Sequence, residues 1–433
     1  MNKKNILFSG FMLFSLFFGA GNLIFPPVLG MESGNYFVAA IIGFILTAVF
    51  LPLLSIIAIS LSNNGLLSIG QRVHPIFGLI FTIIIYMSIG AFYGIPRAAN
   101  VAYELGLIQI IHSDDRWVLL FFSIIFFFIT YLISLNPKKI IDVVGQLLTP
   151  ALIIVLATLF IKAFMTFHYT EAAPNEHYQS MPFLKGFLNG YFTMDAVAAL
   201  AFGIVVTNGL KNKGATNKKE LIRGTVIAGC IAAIGLIIVY LSLSWIGRVV
   251  PNATGFKNGA EILVSASEQL FGFGGNILFG VIVILACLTT CVGLINACAS
   301  FFNELYPKLS YKNYVRLFVF VGLLFSNLGL DLILQIAEPM LSFIYPIAIV
   351  LVILSLFQHF FGESKKMYVY AICVTVLFAV YDLLGTFGGH LPVLDNVLNI
   401  LPLYADGLGW LLPTFIFAAI GYIIDKSNQK IMY

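Results

Sequence analysis

The feature that most constrains this chain is the length of its apolar runs, such as RWVLLFFSIIFFFITYLIS at 116–134 and FGVIVILACLTTCVGLINACASFF at 279–302. A helix needs about 20 apolar residues to cross a hydrocarbon core, whereas barrel strands show as short alternating segments. Runs of this kind recur along all 433 residues, 60% of which are hydrophobic and only 10% charged. With a mean hydropathy of +1.00, the composition lies far from that of soluble domains. The expected fold class is therefore an all-α polytopic membrane protein.

Twelve transmembrane helices are predicted, at 6–29, 37–60, 77–101, 117–135, 146–166, 187–209, 224–247, 276–302, 314–330, 332–357, 368–388 and 406–424. Lysine and arginine sort between the two sides. Alternate connections carry Lys3, Lys4, Arg72, Lys138, Lys139, Lys211, Lys213, Lys218, Lys219, Arg223, Lys308, Lys312, Arg316, Lys365, Lys366, Lys426 and Lys430, which is 17 of the 23 basic residues. The other side carries Glu32, Asp114, Asp115, Glu171, Glu176, Glu261, Glu268 and Asp395. The positive-inside rule then places both termini in the cytoplasm. The net charge of +4 reports this topology rather than a nucleic-acid partner, and no obligatory protein partner is evident beyond the lipid bilayer. The N-terminal run after Lys3 and Lys4 imitates a secretory signal, but it continues through Asn22 to Pro26 and Pro27 as one long element and is read as the first span.

Two spans are interrupted at the same depth. The first, GFMLFSLFFGAGNLIF from Gly10, contains Gly19, Ala20, Gly21 and Asn22; the sixth, GFLNGYFTMDAVAALA from Gly186, contains Thr193, Met194, Asp195 and Ala196. Five spans separate their starts, so the two enter from opposite faces. Residues 1–166 thus read as a first five-helix repeat, 186–357 as an inverted second repeat, and 367–425 as two further helices, the 5+5 pattern of secondary transporters with a midplane site. A break in lipid exposes backbone groups at several kcal/mol each, so it persists where protein, water or a ligand satisfies them. Freed amides suit a carboxylate, and freed carbonyls suit an ammonium or a cation. The competing reading is close packing at the glycines and a simple proline kink.

Asp195 sharpens the pattern, because a carboxylate at mid-bilayer costs about 2.5 to 3.5 kcal/mol and faces a cavity or partner. Four roles stand: attracting an ammonium, binding a cation, carrying a proton, or capping the second half-helix. Arg97, Glu104 and Glu338 are the other charges near membrane depth. Arg97 and Glu104 are seven apart and share a helix face, so an external gate closed by an Arg–Glu pair is one reading and a permanent structural pair is the other. The five cysteines, Cys230, Cys287, Cys291, Cys298 and Cys373, lie in apolar runs with no His or carboxylate spacing beside them, which argues against a metal centre of thiolate type. An intramembrane enzyme would need a His, Asp, Ser or Cys cluster at one face, and none is visible; a channel is disfavoured by the inverted pattern. No catalytic residue and no cofactor are expected.

LFSLFFGAGNLIFPP at 13–27, IPRAANVAYELG at 95–106 and TMDAVAALAFGIVV at 193–206 resemble the characteristic segments of the bacterial branched-chain amino acid carriers, the BrnQ-type or LIVCS family, and the resemblance covers essentially the whole chain. It implies uptake of leucine, isoleucine and valine by cation symport across a bacterial plasma membrane, on the LeuT-like (APC-type) fold. It further implies a substrate site at Gly19, Ala20, Gly21, Asn22, Thr193, Met194 and Asp195. The sodium-binding pattern of the wider fold is similar to LACLTTC at 285–291, which implies cation ligands at Ala286, Thr289 and Thr290 with backbone carbonyls near Ser15 and Phe18. Oxygen ligands of that kind suit a hard cation, although a membrane-helix threonine also bonds back to its own preceding turn. Only three residues separate Asn22 from Pro26 where the wider fold has four. Proton-coupled relatives often carry a fifth-span lysine; residues 143–161 contain none and Lys162 lies near the outer end, so sodium is favoured over protons as the coupling ion.

Overall fold

A computed structural model of the chain describes residues 3–62, 65–111, 115–136, 149–168, 173–212, 214–251, 255–256, 258–362, 364–389, 392–404 and 407–431. Lys138, Lys139, Lys213, Asp114 and Glu171, used above for orientation, lie outside them, as do residues 146–148 of the fifth span and the side chains of Ala20 and Glu338. The described backbone is helical with no strand among it, as expected where lipid offers backbone groups no partners. Each of the twelve predicted segments carries a helix. Nine helices among the described residues are long and apolar enough to cross a membrane, and the bent first pair makes ten if taken as one span.

Contacts divide the chain into two units, 1–56 with 86–334 and 57–85 with 335–433. The first unit opens with α1 (Lys3–Phe17) and α2 (Ala20–Glu32), which meet at 68°. The bend falls at Phe18 and Gly19, and α2 runs on through Pro26 and Pro27. The break is thus shorter than the four residues predicted, and the proline pair does not cause it. The second span consists of α3 (Phe37–Ile45) and α4 (Leu51–Leu61), joined by a widened turn at Leu46–Phe50.

A turn at 72–74 separates α5 (Gly65–Gln71) from the third span, Pro75–Ile111, which is built of α6 (Pro75–Met87), α7 (Gly94–Ala102) and α8 (Ile108–Ile111). Widened π-type turns at Ser88–Phe92 and Tyr103–Leu107 flank α7. Insertions of this type rotate the following segment and gather at functional sites. The fourth and fifth spans are α9 (Arg116–Ser134) and α10 (Thr149–Thr166).

After the short α11 (Glu176–Gln179), α12 (Pro182–Asn189) ends in a tight turn at Gly190–Thr193 and a left-handed Met194, and α13 (Asp195–Asn212) starts immediately afterwards. The seventh span is α14 (Lys218–Val249). α15 (Gly259–Leu305) is 47 residues long and is divided by Gly272, whose φ of 64° lies outside the helical range. Sequence reading starts this span at 276; the additional turns from 259 to 271 were missed because polar Glu261, Ser265, Ser267 and Glu268 dilute their apolar pattern. Asn258 Oδ1 accepts from the Glu261 amide at 3.0 Å and fixes the start. α16 (Tyr311–Ser326) completes the unit.

Two glycines explain how α2 is held. A Cβ on Gly247 of α14 would strike the Pro27 carbonyl, and one on Gly259 would strike that of Ile24. Backbone therefore packs on backbone along this seam, which is the close approach small residues permit between membrane helices. α12 packs on α3 in the same manner, while α1 lies on α14 as well as α13.

The second unit contains the end of α4 from Ile57, α5, α6 as far as Ile85, α17 (Leu330–Phe361) from Gln335, α18 (Lys365–Thr386), α19 (Pro392–Leu398) and α20 (Leu411–Ile431). Asp425 Oδ2 accepts from the Lys366 amide and the Ser364 hydroxyl, both at 2.8 Å. It thereby caps α18 from α20. Arg72 donates to Tyr368 OH at 2.9 Å and Ser355 Oγ at 3.2 Å.

Candidate functional site

The first break frees carbonyls that have no amide four residues ahead. The side chains that meet them come from α15. Thr290 Oγ1 lies 3.3 Å from Leu16 O and 3.4 Å from Phe18 O. Thr289 Oγ1 lies 3.4 Å from Ser15 O and 3.3 Å from Ser15 Oγ, and it donates to Ala286 O at 2.8 Å. The residues predicted as cation ligands thus meet in two neighbouring groups: Ser15, Ala286 and Thr289 line one small cavity, while Thr290 meets Phe18 O together with Leu16 O and lines another. Thr289 also bonds back to its own turn, as a membrane threonine does without any ligand. Thr290 reaches only across.

At the second break, Thr193 Oγ1 donates to Gly190 O at 2.9 Å and accepts from the Asp195 amide at 3.4 Å. Met194 holds φ 70° and ψ 3°, a left-handed conformation rare outside glycine and asparagine that concentrates at functional sites. Asp195 is the one buried carboxylate among the described residues. Its Oδ2 accepts from Tyr240 OH at 2.5 Å and Asn22 Nδ2 at 3.0 Å. Asn22 also lies 2.6 Å from Tyr240 OH and donates to Phe17 O at 2.9 Å. Asn22, Asp195 and Tyr240 thus tie α2, α13 and α14 together. Both bonds fall on Oδ2, and Asp195 also lines a cavity at this break.

Arg97 is the departure from expectation. Instead of closing a gate with Glu104, it donates to Tyr93 OH at 2.5 Å, Phe192 O at 2.9 Å and Thr193 O at 3.2 Å. Its guanidinium carbon stands 4.7 Å from the centre of the Tyr93 ring. The carbonyls of the second break, predicted to receive an ammonium, are held here by a guanidinium. The physical reason is that two orphaned carbonyls in a dry interior attract a five-donor cation more strongly than a carboxylate a full two turns away on its own helix. Glu104 is half-buried, and Glu338 falls in the other unit.

One cavity joins these parts. Gly19, Gly21, Asn22, Arg97, Thr193, Met194, Asp195 and Thr290 line it together with apolar residues that include Phe17, Ala98 and Leu294. All of the predicted substrate residues except Ala20, whose side chain is outside the described set, border this space. Gly21 is required here: a Cβ would stand 2.5 Å from Arg97 Nη2 and 3.0 Å from Thr193 O. Tyr240 and the role of Arg97 were missed by sequence reading. The signal for Tyr240 was the one tyrosine in the apolar run IGLIIVYLSLSW, since a buried Tyr OH finds a partner.

Comparison with known proteins identifies the family. Residues 2–428 match the family described as Branched-chain amino acid transport protein. The chain is 44% identical over 424 residues to the branched-chain amino acid permease BraB of Bacillus subtilis (strain 168), covering 97% of this chain and 95% of that one. It is 42% identical over 438 residues to the permease BrnQ of the same organism, covering 99% and 100%. Among solved structures, the nucleobase-cation-symport-1 transporter Mhp1 in a closed conformation shares the fold with a TM-score of 0.60 at 13% identity, covering 100% of this chain and 96% of that one. MhsT in complex with L-phenylalanine does so at 0.56 and 16%, covering 96% and 97%. The chain belongs to the BrnQ-type branched-chain amino acid transport family on a LeuT-like fold, and is a transporter rather than an enzyme.

Proposed function

We propose that the chain imports leucine, isoleucine and valine across a bacterial plasma membrane in symport with sodium, by alternating access. It does so as a twelve-span protein with cytoplasmic termini, in which 5+5 inverted repeats lead with the two broken helices. The observation that carries this reading is the position of the cation oxygens on the same break as the substrate cavity: Thr290 touches the carbonyls of Leu16 and Phe18 and also lines the space beside Gly19 and Asp195. A cation bound there orders the very break on which the amino acid sits.

The chemistry of these oxygens supports a cation: hydroxyls of Ser15, Thr289 and Thr290 and carbonyls of Ser15, Leu16 and Phe18 lie at the first break, and hard cations take oxygen ligands of this kind. No step of the cycle needs thiolate or imidazole ligands.

In the cycle, sodium binds first and sets the Phe18–Gly19 bend. The substrate carboxylate then meets the first amides of α2, the ammonium meets the Asp195 carboxylate, and the aliphatic side chain lies against Phe17, Ala98 and Leu294. Movement of the bundle formed by the first, second, sixth and seventh spans opens the site inward. The packing of α12 on α3 and of α1 and α2 on α14 supports that bundle as a unit. Each sodium crossing 100 mV supplies about 2.3 kcal/mol, enough for roughly fifty-fold accumulation. One methylene is worth only about 1–3 kcal/mol in an apolar pocket, so the three substrates compete.

A proton-coupled cycle is the second reading, carried by the burial of Asp195 beside Tyr240. Labelled-leucine uptake into proteoliposomes under imposed sodium or proton gradients separates the two. Uptake that follows the sodium gradient at constant pH supports the first; uptake indifferent to sodium overturns it, and no uptake or exchange of any branched-chain amino acid overturns the substrate assignment.

A further inference from the structure

We propose that Arg97 reads the carboxylate of the transported amino acid, acting with the first turn of α2 as a built-in cation of the site. The assignment rests on the import reading above and names the residue that makes an α-carboxylate obligatory.

Three independent features meet at this point. The first is the start of α2: no side chain caps this 13-residue helix, its first-turn residues Gly21 and Asn22 line the cavity, and its leading amides carry the positive end of its dipole. The second is the guanidinium itself. Arg97 is 4% exposed and lines the cavity, its Nη2 lies against Gly21 in that first turn, and its Nε is buried without a hydrogen-bond partner. A guanidinium is charged at any physiological pH and presents donors in a planar fork that matches a carboxylate. The third is charge. Arg97 and Asp195 are the one buried cation and the one buried carboxylate among the described residues, and both border the same space. A zwitterion laid between them meets opposite charge at each end.

The arrangement also differs from that at the first break. There the freed carbonyls face neutral hydroxyls. Here Phe192 O and Thr193 O already hold a fixed cation, so the second break needs no ion of its own. Its cation also borders the cavity, with Nε still without a hydrogen-bond partner.

The test is a ligand titration of the purified full-length protein in sodium, in which the rise in melting temperature is followed with L-leucine and with L-leucinamide. Leucinamide has the ammonium and the side chain but lacks the carboxylate. The wild-type protein is expected to bind leucinamide at least about 100-fold more weakly than leucine. R97Q is expected to lose about 10- to 100-fold in leucine affinity, the range for hydrogen bonds to a charged group, with leucinamide affinity unchanged, so that the ratio collapses. R97K restores part of it. Equal weakening of both ligands in R97Q, or an unchanged ratio, would leave Arg97 a purely structural residue and overturn the proposal. If R97Q shows no folded melting transition, R97K is read by the same criterion. A wild-type protein that binds leucinamide as tightly as leucine overturns the proposal without any variant. Failure of the wild-type protein to bind or transport leucine would instead overturn the import reading.

Discussion

The two broken helices solve one problem in different ways. At the first break the chain departs from the helix for only Phe18 and Gly19, and its freed carbonyls meet the hydroxyls of Thr289 and Thr290. At the second, a tight turn and a left-handed Met194 intervene, and the freed carbonyls of Phe192 and Thr193 meet the guanidinium of Arg97. Neutral hydroxyls satisfy a carbonyl only partly and leave lone pairs for a diffusible cation, whereas a guanidinium satisfies it with a charge that cannot leave. The first break is therefore suited to coupling and the second to recognition.

The sharpest way to break this distinction is Asp195→Asn. It removes the buried charge proposed to meet the substrate ammonium, and leucine uptake is expected to fall about 100-fold, the upper range for a hydrogen bond to a charged group. Uptake within a few-fold of wild type would separate the second break from the substrate. Tyr240→Phe removes one of the two donors to Asp195 Oδ2 and has the next largest effect, about 1.5–3 kcal/mol in leucine binding. Leucine titration of the purified variant measures it, and an unchanged affinity would reduce Tyr240 to packing.

Thr290→Ala tests the other break. Loss of the hydroxyl near Leu16 O and Phe18 O is expected to raise the sodium concentration for half-maximal uptake about tenfold, or ~1.4 kcal/mol, while uptake at saturating sodium stays within threefold. Thr290→Ser keeps the oxygen and is expected to behave as wild type. The smallest effect belongs to Thr193→Ala, which loses a hydroxyl bonded within its own turn. Leucine uptake is expected to stay within about threefold, near the low end for a neutral hydrogen bond, with no shift in sodium dependence. A sodium shift in this variant as large as that of Thr290→Ala would erase the difference between the breaks.

Helices at all twelve segments were legible because an apolar run in lipid has few alternatives to a helix. The two breaks were legible for the same reason: glycine, asparagine and aspartate are costly in a span unless something compensates. Thr289 and Thr290 were legible through a resemblance rather than through spacing. What the sequence hid was pairing across distance. Arg97 and Glu104 share a helix face, and nothing local shows that carbonyls 95 and 96 residues further along would claim the guanidinium. Tyr240 is 45 residues from Asp195 in a run whose hydropathy gives no hint of a polar partner. The turns from 259 to 271 escaped because a polar-faced helix outside the expected span looks like a loop when only apolar length is scored.

The seam that holds α2 has a consequence for mutational scanning. Positions 247 and 259 accept no side chain because a carbonyl occupies the space a Cβ would take, so both should be glycine-only columns in a scan scored by growth on a branched-chain amino acid. Neither belongs to the residues that border the cavity. Intolerance to substitution at these sites would map where backbones touch, and a ligand footprint drawn from tolerance alone would be drawn one helix too wide.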